Sequence, residues 1–130
     1  MSLVVAVDEE YIFEGKIAIS QTNLEGNITF VNRKFCEISG YNVDELIGNS
    51  HGIVEHPGNK NLSFEKIYES VKSNKVWSGT LKNLRKDGRY YWIDMEIIPI
   101  IDEEGQITGY ISVSKPSHRK NINDYEKSNQ

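Results

Sequence analysis

The order of elements along this chain predicts an α+β domain, with one antiparallel five-stranded sheet and its helices gathered on one face. Three observations predict it. Two alternating runs joined by a turn come first, and three more such runs come last. Between them the apolar spacing shifts to the three- and four-residue steps of helices. No strand-to-helix repeat of the kind that builds a parallel sheet interrupts either group.

A chain of 130 residues is long enough for one domain with a real core. A net charge of −4 lacks the basic footprint of a nucleic-acid binder, and Arg85-Lys86 beside a turn reads as a solvated corner. No apolar run reaches membrane-spanning length, and the N-terminus carries no charged-then-apolar leader pattern. The single cysteine, Cys36, excludes an internal disulfide and a cysteine-rich zinc site, so a reducing, cytoplasmic setting is expected.

Residues 1–15 read as an extension that must dock somewhere. Leu3 to Val7 is apolar, Asp8 could cap a short helix, and Tyr11, Ile12 and Phe13 follow. Lys16 to Thr22 and Ile28 to Asn32 form the first predicted hairpin. Phe35 and Ile38 stand at helical spacing, and Gly40 suits the left-handed residue that ends such a helix. Asn42, with Glu45 three residues on, is a capping-box signal for a second short helix closed by Gly48. Ser50 to Pro57 has no period and reads as an irregular crossing. Asn59 to Asn74 is the longer amphipathic helix, with Leu62, Phe64, Ile67, Tyr68 and Val71 on its apolar side.

The central hairpin runs from Val76 to Tyr91, turning at Asp87-Gly88. Its first strand places Trp77, Gly79, Leu81 and Asn83 on one face. A glycine and an asparagine beside a tryptophan suit a pocket wall, where Gly clears room, Trp stacks and the amide bonds a ligand. A bulge at Gly79 with a half-buried Asn83 bonded to main chain is the alternative, and both stay open on these residues. The fourth strand, Arg89 to Ile101, carries Tyr91, Ile93, Met95 and Ile97 on one face and Asp94 and Glu96 on the other. Ile107 to Ser114 is the fifth strand, and residues 117–130 read as a polar tail or linker.

The run ITFVNRKFCEISGY from Ile28 to Tyr41, then ELIG from Glu45, and GYISV from Gly109 resemble a PAS domain. The resemblance covers residues 16–116 as a PAS sensor domain. His56-Pro57, Trp77-Ser78-Gly79, Lys82-Asn83, Arg85 to Gly88 and Tyr91-Trp92 are similar to the PAS domain of bacterial aerotaxis and energy-taxis receptors. That resemblance implies a cytoplasmic, non-enzymatic redox or energy sensor holding non-covalent FAD. It would pass a conformational signal, as in chemotaxis, to a downstream protein or domain the chain does not identify. FMN or haem in the same pocket, another small ligand, or a ligand-free PAS dimerisation module are the alternatives.

Carried over by position, the resemblance implies flavin contacts from Asn32, His56, Phe64, Trp77 and Asn83, the last matching an asparagine that binds the flavin ring in LOV photoreceptors. Ile93, Met95, Ser112 and Ser114 complete the implied lining. The aerotaxis pattern has an arginine before the histidine and an aspartate after the proline, where this chain has Glu55 and Gly58. The LOV pattern puts its reactive cysteine where His51 stands, so Cys36 reads as a packed thiol. His51 and His56 have no partner cysteine and read as hydrogen-bonding groups rather than metal ligands.

Alternation alone would turn Ile107, Gly109, Ile111 and Val113 inward, whereas the resemblance aims Tyr110, Ser112 and Ser114 at the pocket. The second assignment leaves Trp92, Ile98, Ile111 and Val113 as an apolar stripe on the outer sheet face. The N-terminal segment is the expected cover, within one subunit or exchanged to build a homodimer.

Overall fold

A computed structural model of the chain describes residues 4–59, 63–117 and 119–128. Strands β1 (Ala18–Thr22) and β2 (Ile28–Val31) form the first hairpin, and β3 (Trp77–Leu84), β4 (Tyr90–Ile101) and β5 (Ile107–Pro116) follow the helices. The sheet has the order β2-β1-β5-β4-β3 with antiparallel neighbours throughout. The α+β architecture expected from the sequence is thus present, with five strands.

Helix α1 (Arg33–Ser39) ends at Gly40 in the left-handed conformation, and α2 (Val43–Leu46) starts with the Asn42–Glu45 capping box. The crossing is ordered by a 3₁₀ turn, His51–Val54, which buries His51 and Val54. Helix α3 (Phe64–Val71) begins later than its apolar pattern predicts, because Ser63 caps it by accepting from Lys66 N. Asn59 instead reaches the sheet, donating through Nδ2 to the Lys82 carbonyl. Leu62 lies outside the described residues.

The inner sheet face meets these helices. Ala18, Ser20, Thr22, Leu81, Asn83, Tyr91, Ile93, Met95, Ile97, Tyr110, Ser112 and Ser114 are all buried there. Tyr110, Ser112 and Ser114 therefore face inward, as the resemblance implied, while Ile111 and Val113 lie half-buried on the other side. The expected outer stripe is only partly open: Trp92 is buried at 6 % exposure, and Ile98, like Ile111 and Val113, is half-buried.

Both terminal segments depart from expectation. The segment before β1 forms no helix at Asp8 and does not cover the outer stripe. It runs extended along the β3–β4 turn, with Val7 N donating to Gly88 O, Tyr90 N to Glu9 O and Tyr11 N to Tyr90 O at 2.7–3.0 Å. Backbone bonds to an open strand start outcompete a loose apolar contact because each satisfies an otherwise unmet group. The C-terminal residues, read as a polar tail or linker, are helical: Arg119–Ser128 form α4, which lies against β3 with Ile122 only 2 % exposed. One aliphatic per three turns is too faint a pattern to separate that helix from a polar tail.

Candidate functional site

The hairpin register fixes the centre of the site. Arg85 N donates to Arg89 O and Gly88 N to Arg85 O, with Gly88 at φ +95°, so the connection is a tight glycine-closed turn. That register sets Asn83 opposite Tyr91, Leu81 opposite Ile93 and Gly79 opposite Met95. β5 continues the face, pairing Ser114 with Met95 and Ser112 with Ile97. Asn83, Ile93, Met95, Ser112 and Ser114 thus share one continuous wall.

Asn83 is 3 % exposed, and its Oδ1 is a buried side-chain acceptor without a hydrogen-bond partner. A buried, unpaired polar atom costs about 1–3 kcal/mol, so a fold that keeps one has a use for it or an occupant to fill it. The Tyr91 phenol stands across the ladder from it, and burial pushes that phenol's pKa upward while the neighbouring Asn83 amide acts in the opposite direction. The rest of the wall is satisfied or apolar. Ser112 Oγ lies 2.9 Å from Ser20 Oγ, closing a buried hydroxyl pair across β1 and β5.

Trp77 and Gly79 divide the pocket-wall expectation. A Cβ at Gly79 would lie 2.8 Å from Cη2 and 2.9 Å from Cζ2 of Trp77. The space that glycine leaves is taken by the indole two residues earlier, which lies along the strand and stays half-buried. Facing the wall is a buried aromatic group. Phe64 stacks on His51 with centroids 4.3 Å apart, and His51 Nδ1 lies 2.8 Å from Tyr68 Oη. Thr22 Oγ1 donates to the same phenol oxygen at 3.4 Å. Burial drives the His51 pKa down to about 3, so the imidazole is neutral, and raises Tyr68 to about 12.

The structure does not bring Asn32 and His56 to this wall. Asn32 caps α1: its Oδ1 accepts from Phe35 N and Ile19 N, and its Nδ2 donates to Ile17 O. It sits past β2, at the opposite sheet edge from β3. His56 is half-buried beside β3, edge-on to Tyr90 at 6.3 Å, and its Nδ1 accepts from Gly58 N. Burial and then Lys82 hold its pKa below the ordinary value. Cys36 packs against the core, where burial raises its thiol pKa.

The PAS domain profile matches residues 16–115, most of the chain. The chain belongs to the PAS domain family. Among curated proteins it is 38 % identical over 95 residues to the aerotaxis receptor of Escherichia coli K12, covering 73 % of this chain and 19 % of that protein. It is 24 % identical over 102 residues to a nitrogen fixation regulatory protein of Klebsiella pneumoniae, covering 78 % and 21 %. This PAS domain therefore spans about a fifth of the length of those relatives. Among solved structures, a PAS domain of a protein from Colwellia psychrerythraea is 27 % identical at TM-score 0.70, covering 78 % of this chain and 86 % of that one. The light-state structure of the Aureochrome1 LOV photoreceptor superposes at TM-score 0.74 and 21 % identity, covering 84 % and 91 %, and shows the shared fold.

Two parts of this PAS site escaped the sequence reading. Tyr91 reads as an apolar strand position and as part of the resemblance, not as the neighbour of Asn83, although a turn centred at Asp87 would have set it opposite. Glu55 holds the start of α3, its Oε1 accepting from Phe64 N at 2.6 Å, and its backbone bridges to Asn83. A groove of ≈ 450 Å³ opens beside α3 among Glu25, Glu55, Glu65, Glu69 and Lys72, but Asn83 is not among its walls. Among the described residues no group of three or more His, Cys, Asp or Glu is placed to hold a metal ion. No described helix is long and apolar enough to cross a membrane.

Proposed function

We propose that this PAS domain holds a non-covalent flavin, FAD, and serves as a cytoplasmic redox or energy sensor module rather than a turnover enzyme. The observation that carries the reading is the unpartnered Oδ1 of Asn83, buried on the inner wall. The polar edge of an isoalloxazine ring offers an N–H between two carbonyls, and a side-chain amide is complementary to it. Leu81, Ile93 and Met95 supply the apolar bed such a ring needs, and Ser114 lies beside Met95 for a polar contact. Bound flavin supplies reversible electron uptake, and the 38 % identity to a receptor named for aerotaxis supports that use.

Flavin reduction changes the hydrogen bonds its ring can make, and a ligand shifts a conformational equilibrium only through differential contacts in the two states. β5, which carries Ser112 and Ser114, is the strand through which those contacts reach the outer face and a downstream protein. The half-buried Ile98, Ile111 and Val113 there are the surface for a homodimer. Glu55 stands where the aerotaxis pattern has arginine, so a charge-assisted hold on a diphosphate is missing and the ring contacts carry more of the affinity.

The absorption spectrum of freshly purified protein, with the released ligand weighed by mass spectrometry, tests the reading. Flavin bands and the mass of FAD are expected. The mass of FMN overturns the FAD assignment, a Soret band replaces flavin with haem, and a protein that neither carries nor takes up flavin removes it. Amide exchange of Gly109 to Ser114 should differ between oxidised and reduced protein, and identical exchange sinks the sensor reading.

A further inference from the structure

We infer that the groove beside α3 is the mouth through which the side chain of a wall-bound flavin leaves the domain, and that its carboxylates make the site select flavins by tail charge, for a neutral polyol and against phosphate. The inference rests on the flavin reading of the Asn83 wall and names the class of tail that site takes. Groove and wall are two sides of one partition. Phe64 and Tyr68 line the groove, and both rings pack on His51, with centroids 4.3 and 5.9 Å from the imidazole. Tyr68 reaches the inner sheet face itself, its hydroxyl 3.4 Å from Thr22 Oγ1 and its ring 5.3 Å from that of Tyr110. Glu55 belongs to both sides: it lines the groove, and its backbone bridges to Asn83.

The charge of the mouth is one-sided. Glu25, Glu55, Glu65 and Glu69 stand round it, and Lys72, the one cation among its described walls, is already bound to Glu69 at 2.9 Å. Three of the four are exposed, whereas Glu55 is half-buried and held in place, its Oε1 accepting from Phe64 N at 2.6 Å. A phosphate monoester carries about −1.5 to −2 charges at pH 7. Within a Debye length of about 8 Å at physiological salt it meets these carboxylates largely unscreened. An FAD held here is therefore held by its ring, against the charge its diphosphate meets.

What the groove offers in place of cations is hydroxyl chemistry. Ser50 and Ser63 line it, and their Oγ atoms accept from Gly52 N and Lys66 N at 3.1 Å, which leaves each hydroxyl its own proton to donate. The carboxylates in turn accept from ligand hydroxyls. A polyol presents both partners at every carbon and brings no charge. The groove's ≈ 450 Å³ is ample room for such a chain.

The test titrates the full chain, freed of any carried flavin, with riboflavin, FMN and FAD, and reads flavin fluorescence. One exposed pair of charges changes an affinity by up to roughly fivefold. Several act together here, so FMN should bind at least roughly fivefold more weakly than riboflavin at low salt, and salt at about 0.5 M should shrink that ratio. Glu55→Gln keeps an acceptor for Phe64 N and removes the charge. It should tighten FMN and FAD by roughly two- to fivefold while leaving riboflavin unmoved. Glu65→Gln, on exposed helix surface, is read the same way if the first variant folds poorly. A riboflavin-to-FMN ratio near one, or a ratio that neither salt nor either variant moves, overturns the inference while the flavin reading stands. Binding of none of the three flavins overturns both.

Discussion

Two asparagines stand at opposite edges of this sheet, and they are used in opposite ways. Asn32 has its amide oxygen fully committed, accepting twice, and its nitrogen donates to the Ile17 carbonyl, tying α1 to the start of β1. Asn83, equally able to bond, keeps an acceptor buried and open. The same side chain thus serves as a fastener beside β2 and as a receptor on β3. Neighbours follow the pattern: Ser20 and Ser112 satisfy each other, and His51, Tyr68 and Thr22 form a closed chain. Position in a family motif does not tell these uses apart, but counting each amide's partners does.

The contrast can be broken at several points. Acid should act first and most strongly on the closed half. His51 has its pKa lowered from 6.5 to about 3 by burial, so below 6.5 the unfolded chain binds a proton that the folded one refuses. Stability is unaffected by this group above pH 6.5 and falls by about 1.4 kcal/mol per pH unit from there toward 3. Denaturation of wild type and His51→Gln across that range checks it, and parallel curves would show that the imidazole is not held neutral.

Asn83→Leu should weaken flavin binding by about 1–3 kcal/mol while moving fold stability by less than about 1 kcal/mol, since removing an unpaired buried acceptor offsets the loss of the amide beside the Tyr91 phenol. Flavin titration and urea denaturation of the same variant separate the two effects. Asn32→Ala should do the reverse, costing about 1–2 kcal/mol of stability through the lost cap and leaving the flavin Kd unchanged once folded. A flavin Kd that worsens more in Asn32→Ala than in Asn83→Leu would invert the comparison. The smallest effect belongs to Gly79→Ala. Its methyl meets only the outer end of the Trp77 indole, so the ring should tilt, shifting tryptophan fluorescence with a stability change under about 1 kcal/mol.

Much of the fold was legible because its signals are local. The Asn42–Glu45 box, the Gly40 end of α1 and the Asp87-Gly88 turn each act within four residues, and alternation along β3 and β4 gave the inner wall correctly. On β5 alternation pointed the wrong way. Apolar residues there face outward because the inner positions hold Tyr110, Ser112 and Ser114, and Ser112 finds its hydroxyl partner, Ser20, on a neighbouring strand that no local pattern reveals. The site was half legible for the same reason. Trp77 and Gly79 do share a face, yet the glycine accommodates the indole itself. Asn32 looked like a ligand contact because its cap geometry depends on where β1 passes. The N-terminal segment was misplaced because its backbone bonds run to Gly88 and Tyr90, far along the chain, and α4 was missed because Ile122 is the one aliphatic in its span.

The irregular crossing has a consequence for how copies of this chain can meet. Its backbone occupies bridge positions at both rims of the sheet, through Ser50 against Asn27 beside β2 and through Glu55 against Asn83 on β3. An incoming strand from another molecule would have to evict the chain's own peptide groups at either rim before it could pair. Lateral growth of the sheet into a fibre is blocked at those points by the same segment that frames the pocket.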